Sequence, residues 1–165
     1  MATVNKNLSL YDIDKVPNGA DFKIGIVVSE WNLDITSNLL KGAYETLLQH
    51  GLKKEQILVQ YVPGSFELPL AAQYMLEANL VDGVVALGSV IQGETKHFDF
   101  VCDATAKGVK DVSLKYNKPV IFGVLTDNTL QQAIDRSGGK HGNKGIECAV
   151  ACLKMIAIKN HIKGK

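Results

Sequence analysis

Residues 84–101 read VVALGSVIQGETKHFDFV, and the change of polarity along them decides the fold. Val84-Val85-Ala86-Leu87 is wholly apolar, the pattern of a strand covered on both faces in a parallel sheet. Polarity sets in at Gly88-Ser89 and dominates from Gln92 to His97. Beyond it, Phe98, Val101, Cys102 and Thr105 recur at helical spacing. A buried strand, a glycine-bearing turn and a helix start form the corner at which open α/β sheets bind ligands. The amides freed at a helix start attract anions.

His97 sits at that corner. A lone histidine is ordinarily a half-exposed surface imidazole; its position at this corner opens a second reading, as a proton-transfer group. The positive end of the helix disfavours the imidazolium, and a neutral imidazole beside an anion-attracting loop takes and returns protons. Glu94, near the same turn, acts the other way by favouring the cation. Sequence does not rank the two effects.

Outward from this corner the chain alternates strand and helix. Residues 22–29 (FKIGIVVS) form a first strand, and Ile35, Leu39, Leu40, Ala43, Leu47 and Leu48 a helical stripe that Asp34 or Thr36 caps and Gly51 ends. A second strand covers residues 57–62, and a turn over 63–67 leads into a helix over 69–78. The strand at 84–90 and its helix to residue 116 come next, then a fourth strand over 120–125. Asn128 or Thr129 caps a short helix to Arg136, the glycine-rich break 137–142 follows, and a last helix spans 143–160. Four strands each followed by a helix predict a three-layer α/β/α sandwich: a parallel sheet of flavodoxin-like order 2-1-3-4, right-handed crossovers, helices on both faces. The reading is of one domain over residues 1–165, with a core at 22–160 and an extended N-terminal arm at 1–21 that docks on a neighbouring subunit.

A chain of 165 residues supports one sizeable core, and 46% apolar against 21% charged residues is the balance of an ordinary soluble protein. A net charge of +1 without a basic block argues against a nucleic-acid partner. There is no signal-peptide pattern and no apolar run of membrane-spanning length, so the expected compartment is the cytoplasm. Cys102, Cys148 and Cys152 read as reduced thiols, since the last two are four apart along a helix and lack zinc-site spacing. Cys102, on an apolar stripe, makes a poor nucleophile.

Four polar corners line one sheet edge: Trp31-Asn32, Gly64 to Glu67, Ser89 to His97, and Thr126 to Asn128. Trp31 serves equally as core or as a platform for a heteroaromatic ring, and Phe66-Glu67 as a helix-start pair or a polyol contact. Arg136 and Lys144 flank the glycine-rich break, where a phosphate can be clamped. The Gly-x-Ser-x-Gly elbow, the P-loop, Gly-x-Gly-x-x-Gly and the acidic set of a response regulator are all missing. What remains is an imidazole, several anion donors and an aromatic plate, which suits a phosphorylated small molecule meeting a flat heterocycle.

At these residues the sequence resembles the 6,7-dimethyl-8-ribityllumazine synthase family. The resemblance runs through Trp31-Asn32 with Ile35-Thr36-Ser37, VPGSFELP (62–69), LGSVIQGETKHFDFV (87–101), VIFGVLT (120–126), QAIDRSG (132–138) and GNKG (142–145). It implies condensation of 5-amino-6-ribitylamino-uracil with 3,4-dihydroxy-2-butanone 4-phosphate, the penultimate step of riboflavin biosynthesis, with no cofactor and no metal. It implies His97 as the proton-transfer residue. The pyrimidine and ribityl chain would meet Trp31, Asn32, Ser65, Phe66, Glu67, Ser89, Val90, Ile91, Phe122 and Lys144. The phosphate would meet Gly93, Glu94, Thr95 and Arg136. The adjacent subunit of a pentamer would supply Phe122, Arg136 and Lys144. Many relatives close twelve pentamers into a 60-subunit shell, with riboflavin synthase as a candidate enclosed partner. Gln92 and Glu94 replace a frequent Arg and a frequent small residue, which makes this phosphate corner less positive. The rival reading is a non-catalytic flavin-binding or shell-forming relative, which would have no need of His97, Arg136 and Lys144 together.

Overall fold

The structure, a computed structural model, describes Asn7 and residues 9–164. Residues 1–6 and 8 of the expected arm lie outside the described residues. Its described part makes a short 3-10 turn at Ile13–Lys15, capped by Asp12, and lies against this chain's own core. Val16 is buried, the Gly19 amide donates to His50 O at 2.7 Å, and the Tyr11 hydroxyl lies 3.1 Å from His50 Nε2.

The sheet contains β1 (Ile24–Ser29), β2 (Ile57–Val62), β3 (Gly83–Ile91) and β4 (Val120–Asp127), all parallel, in the order β2-β1-β3-β4. Every residue of β1 and the first seven of β3 are buried, as continuous apolar runs require when helices cover both faces. Side chains alternate between two cores. Ile24, Ile26, Val28, Val85 and Leu87 pack under α1 (Leu33–Gln49) and α5 (Lys144–Ile162). Val27, Val84 and Ala86 pack under α2 (Leu68–Glu77) and α3 (His97–Tyr116). Gly145 lets α5 close on α1, for a Cβ there would run into the Leu39 carbonyl. The three-layer sandwich and its strand order are therefore as the sequence predicts.

Local departures have local causes. Strands β3 and β4 run on to Ile91 and Asp127, which carries their ends further toward the polar corner. Neither Asp34 nor Thr36 caps α1: the cap is Asn32, in the left-handed region at φ 55°. Its carbonyl accepts from Ile35 and Thr36, and its side chain is engaged elsewhere. Thr129 caps α4 (Leu130–Arg136) in a capping box with Gln132. The glycine-rich break is a two-stranded antiparallel ribbon, β5 (Ser137–Gly139) and β6 (Gly142–Asn143), which turns through Gly138 at φ 121° and Gly142 at φ 86°. Asn143 caps α5 and ties the ribbon to α1, donating to Asn38 O at 2.8 Å. Among the described residues no helix is long and apolar enough to cross a membrane.

Candidate active site

The carboxyl ends of β1, β2 and β3 open into a cavity of about 530 Å³. Its wall holds Trp31, Asn32, Gly64, Ser65, Phe66, Glu67, Ser89, Val90, Ile91, His97 and Val101. Nine of these are sequence-predicted site residues; Gly64 and Val101 are additions. Val101 was legible as the residue one helical turn beyond His97, and Gly64 as the bend of the second corner. A cavity of this size, apolar with a few convergent polar groups, suits a small organic molecule.

Each wall residue is there for a local reason. Trp31 follows the end of β1 and is 72% exposed; Phe66 is 60% exposed, in the 3-10 turn Ser65–Glu67. Both rings therefore stand at the mouth, and neither is core. Gly64 makes the bend between them: a Cβ there would lie 3.1 Å from Glu67 Oε2 and 3.4 Å from Trp31 Cδ1. Asn32 donates through Nδ2 to Ser89 O at 2.9 Å, which clips the β1 corner to β3. His97 is the first residue of α3 and exposed; its amide donates to the Thr95 hydroxyl at 3.4 Å. On the same helix face, one and two turns along, come Val101 and Thr105.

Four buried side-chain oxygens among the described residues have no hydrogen-bond partner: Ser29 Oγ, Ser65 Oγ, Ser89 Oγ and Asp127 Oδ2. Ser65 and Ser89 belong to residues of the cavity wall, while Ser29 and Asp127 end β1 and β4 at the same sheet edge. Leaving a buried hydroxyl unmatched costs about 1–3 kcal/mol. Burial pushes the Asp127 carboxyl above its usual range, against a smaller opposing pull from the Arg136 guanidinium.

Six sequence-predicted residues are not in this wall. Gly93, Glu94 and Thr95 form the exposed loop between β3 and α3 that leads to His97, and a Cβ on Gly93 would meet nothing within 4 Å. Phe122, in β4, is half-buried against the core under α2 and α3. Arg136 and Lys144 lie at the ribbon. Arg136 donates through Nη1 to His141 O at 2.8 Å and through Nη2 to Glu147 Oε1 at 2.7 Å. Lys144 Nζ reaches Glu147 Oε2 at 3.1 Å. Sequence reasoning did not single out Glu147; its place three residues after Lys144 in the first turn of α5 was the available signal.

The cysteines do no chemistry at this edge. Burial raises the Cys102 thiol, with Asp99 adding to the effect, and pushes Cys148 up to about 12. Burial raises Cys152 as well. Thiols so shifted stay protonated and unreactive. Among the described residues no three His, Cys, Asp or Glu side chains gather as a metal site would require.

Fold and site define an α/β protein of flavodoxin-like order with an aromatic-mouthed, ligand-sized cavity at the carboxyl edge of its sheet. The family model described as 6,7-dimethyl-8-ribityllumazine synthase matches residues 21–160, and the chain belongs to that family. A 6,7-dimethyl-8-ribityllumazine synthase of Flavobacterium johnsoniae is 56% identical over 159 residues, 96% of this chain and 84% of the relative. One of Cytophaga hutchinsonii is 54% identical over 157 residues, 95% of this chain and 98% of its own. One of Christiangramia forsetii is 51% identical over 164 residues, 99% of this chain and 98% of its own.

Proposed function

We propose that the chain carries out the reaction of its family as a transferase in riboflavin biosynthesis. It condenses 5-amino-6-ribitylamino-uracil with 3,4-dihydroxy-2-butanone 4-phosphate to 6,7-dimethyl-8-ribityllumazine, releasing phosphate and two waters. The observation that carries this reading is the cavity itself: an exposed aromatic mouth, a buried polar floor and His97 on one wall.

In this reading the pyrimidine stacks at Trp31, with Asn32, Ser65, Phe66 and Glu67 along its edge and ribityl chain. Ser89, Val90 and Ile91 meet the heterocycle from β3. Gly93, Glu94 and Thr95 face the phosphate. The ring amine attacks the ketone to give a Schiff base, phosphate leaves, and tautomerisation and ring closure follow; His97 moves the protons. Such proton transfer is worth about 10²–10⁴-fold, whereas holding two reactants in register contributes up to about 7–11 kcal/mol. Positioning therefore outweighs acid–base work here.

Arg136, Lys144 and Phe122 complete the site from the adjacent subunit of a pentamer, Arg136 against the phosphate. The separation of Arg136 and Lys144 from the cavity wall of their own chain supports this arrangement. A 60-subunit shell and an enclosed riboflavin synthase belong to the same reading, as do a single domain over residues 1–165 and a cytoplasmic location. Incubation with both substrates tests the activity: growth of lumazine absorbance and fluorescence is the expected result, and unchanged spectra overturn it. Size measurement of the same sample tests the assembly.

A further inference from the structure

The β5–β6 ribbon ends on the two cations of the proposed phosphate corner: Arg136 immediately precedes β5 and Lys144 immediately follows β6. It turns at two positive-φ glycines, Gly138 and Gly142, the residue type that constrains a backbone least. Two ties fix it from outside. Asn143 Nδ2 donates to Asn38 O at 2.8 Å, and the N-terminal arm crosses the ribbon at Gly142 and Asn143. There the Ser9 hydroxyl accepts from the Asn143 amide at 3.0 Å and donates to Asn7 Oδ1 at 2.8 Å. Asn7 Oδ1 also takes the Ser9 amide at 3.1 Å. The arm passes so near that a Cβ on Gly142 would overlap both Asn7 Oδ1 and Ser9 Oγ. Further along, Tyr11 against His50 and the buried Val16 anchor the arm to the core.

We propose that Ser9 is a positioning residue for the phosphorylated substrate: its hydroxyl straps the ribbon so that Arg136 and Lys144 present their charge in one fixed geometry. This rests on the activity proposed above, and the strap serves whichever subunit's cavity those cations complete. Ser9 acts through Asn143, one residue from Lys144, and Glu147 carries the constraint on to Arg136. A clamp held in its binding geometry beforehand loses less freedom when the ligand arrives, so a looser ribbon weakens phosphate binding before it slows chemistry. Losing the hydroxyl also takes an acceptor from the amide of Asn143, a residue only 9% exposed.

The test is steady-state kinetics of the full-length protein, varying each substrate in turn, with inorganic phosphate titrated as a competitor of the ketone. Ser9→Ala should raise KM for 3,4-dihydroxy-2-butanone 4-phosphate, and the inhibition constant of inorganic phosphate, about five-fold, the worth of one neutral hydrogen bond. KM for the uracil amine and kcat should stay as in the wild type. Ser9→Thr, which keeps the hydroxyl, should behave as the wild type, and Asn7→Ala, which frees that hydroxyl to turn, should give a smaller rise. An unchanged ketone KM in Ser9→Ala, equal rises for both substrates, or a Ser9→Thr enzyme as weak as Ser9→Ala overturns the strap. Arg136→Ala, run alongside, separates the two readings. If it raises the ketone KM where Ser9→Ala does not, only the assignment of Ser9 falls; if it leaves that KM unchanged, the phosphate corner falls and the strap with it. A wild type that forms no lumazine overturns strap and activity together.

Discussion

The guanidinium of Arg136 lies 2.7 Å from the carboxylate of Glu147, which also takes the Lys144 ammonium at 3.1 Å on its other oxygen. All three side chains are largely shielded from water, so the arrangement persists where an exposed pair would be screened. Two cations share one carboxylate at the start of α5, and the proposed phosphate contact draws on them.

Arg136→Ala should therefore weaken use of the phosphorylated ketone by about 10- to 150-fold, the worth of a charge-assisted contact. Steady-state titration of that substrate should show KM rising more than kcat falls. An unchanged KM removes Arg136 from the phosphate.

His97→Ala should lower turnover by about 10²–10⁴-fold without abolishing it, because positioning of the two substrates survives. Single-turnover rates in a correctly sized assembly check this. Complete loss of synthesis would reverse the ranking of positioning over proton transfer.

Trp31→Phe should keep most of the affinity for the heterocycle, while Trp31→Ala should lose about 0.5–1.5 kcal/mol of stacking beyond the buried area. Equilibrium titration with the lumazine distinguishes the two, and equal affinities for both variants would mean that the ring does not stack.

Much of this was legible in the sequence, for reasons seen at particular residues. The run Val84 to Leu87 admits no polar side chain because both faces of β3 are covered, and that alone marked the sheet centre. What escaped was non-local. Asn32 caps α1 from the left-handed region while its side chain holds Ser89 O, 57 residues away, and no local propensity encodes that bond. Glu147 meets Arg136 only because the β5–β6 ribbon, turning at Gly138 and Gly142, folds the break back on itself. Trp31 as core or platform was undecidable from composition, since exposure is a property of the finished surface.

His50 predicts a pH dependence of stability. Burial lowers its affinity for a proton in the folded chain, beside the Tyr11 hydroxyl. The unfolded chain then binds more protons, so stability is complete above the ordinary histidine value of about 6.5 and falls as pH drops through the lowered folded value. Thermal melts between neutral and mildly acid pH should show this slope, and His50→Gln should flatten it. An unchanged slope would assign it to other groups.

Gly145→Ala should destabilise by about 1–3 kcal/mol, since the added methyl meets the Leu39 backbone, which cannot yield as a side chain would. Denaturant unfolding checks it; unaltered stability would show that α1 and α5 part freely.

Co-expression of His97→Ala with Arg136→Ala tests the shared site most directly. If one subunit supplies His97 and its neighbour Arg136, random assembly leaves about a quarter of the sites (half times half) with both residues intact. With the phosphorylated ketone held well below its KM, lumazine formation by the mixed assembly should then far exceed the average of the two variants assayed alone. Activity equal to that average would contradict a site built between subunits.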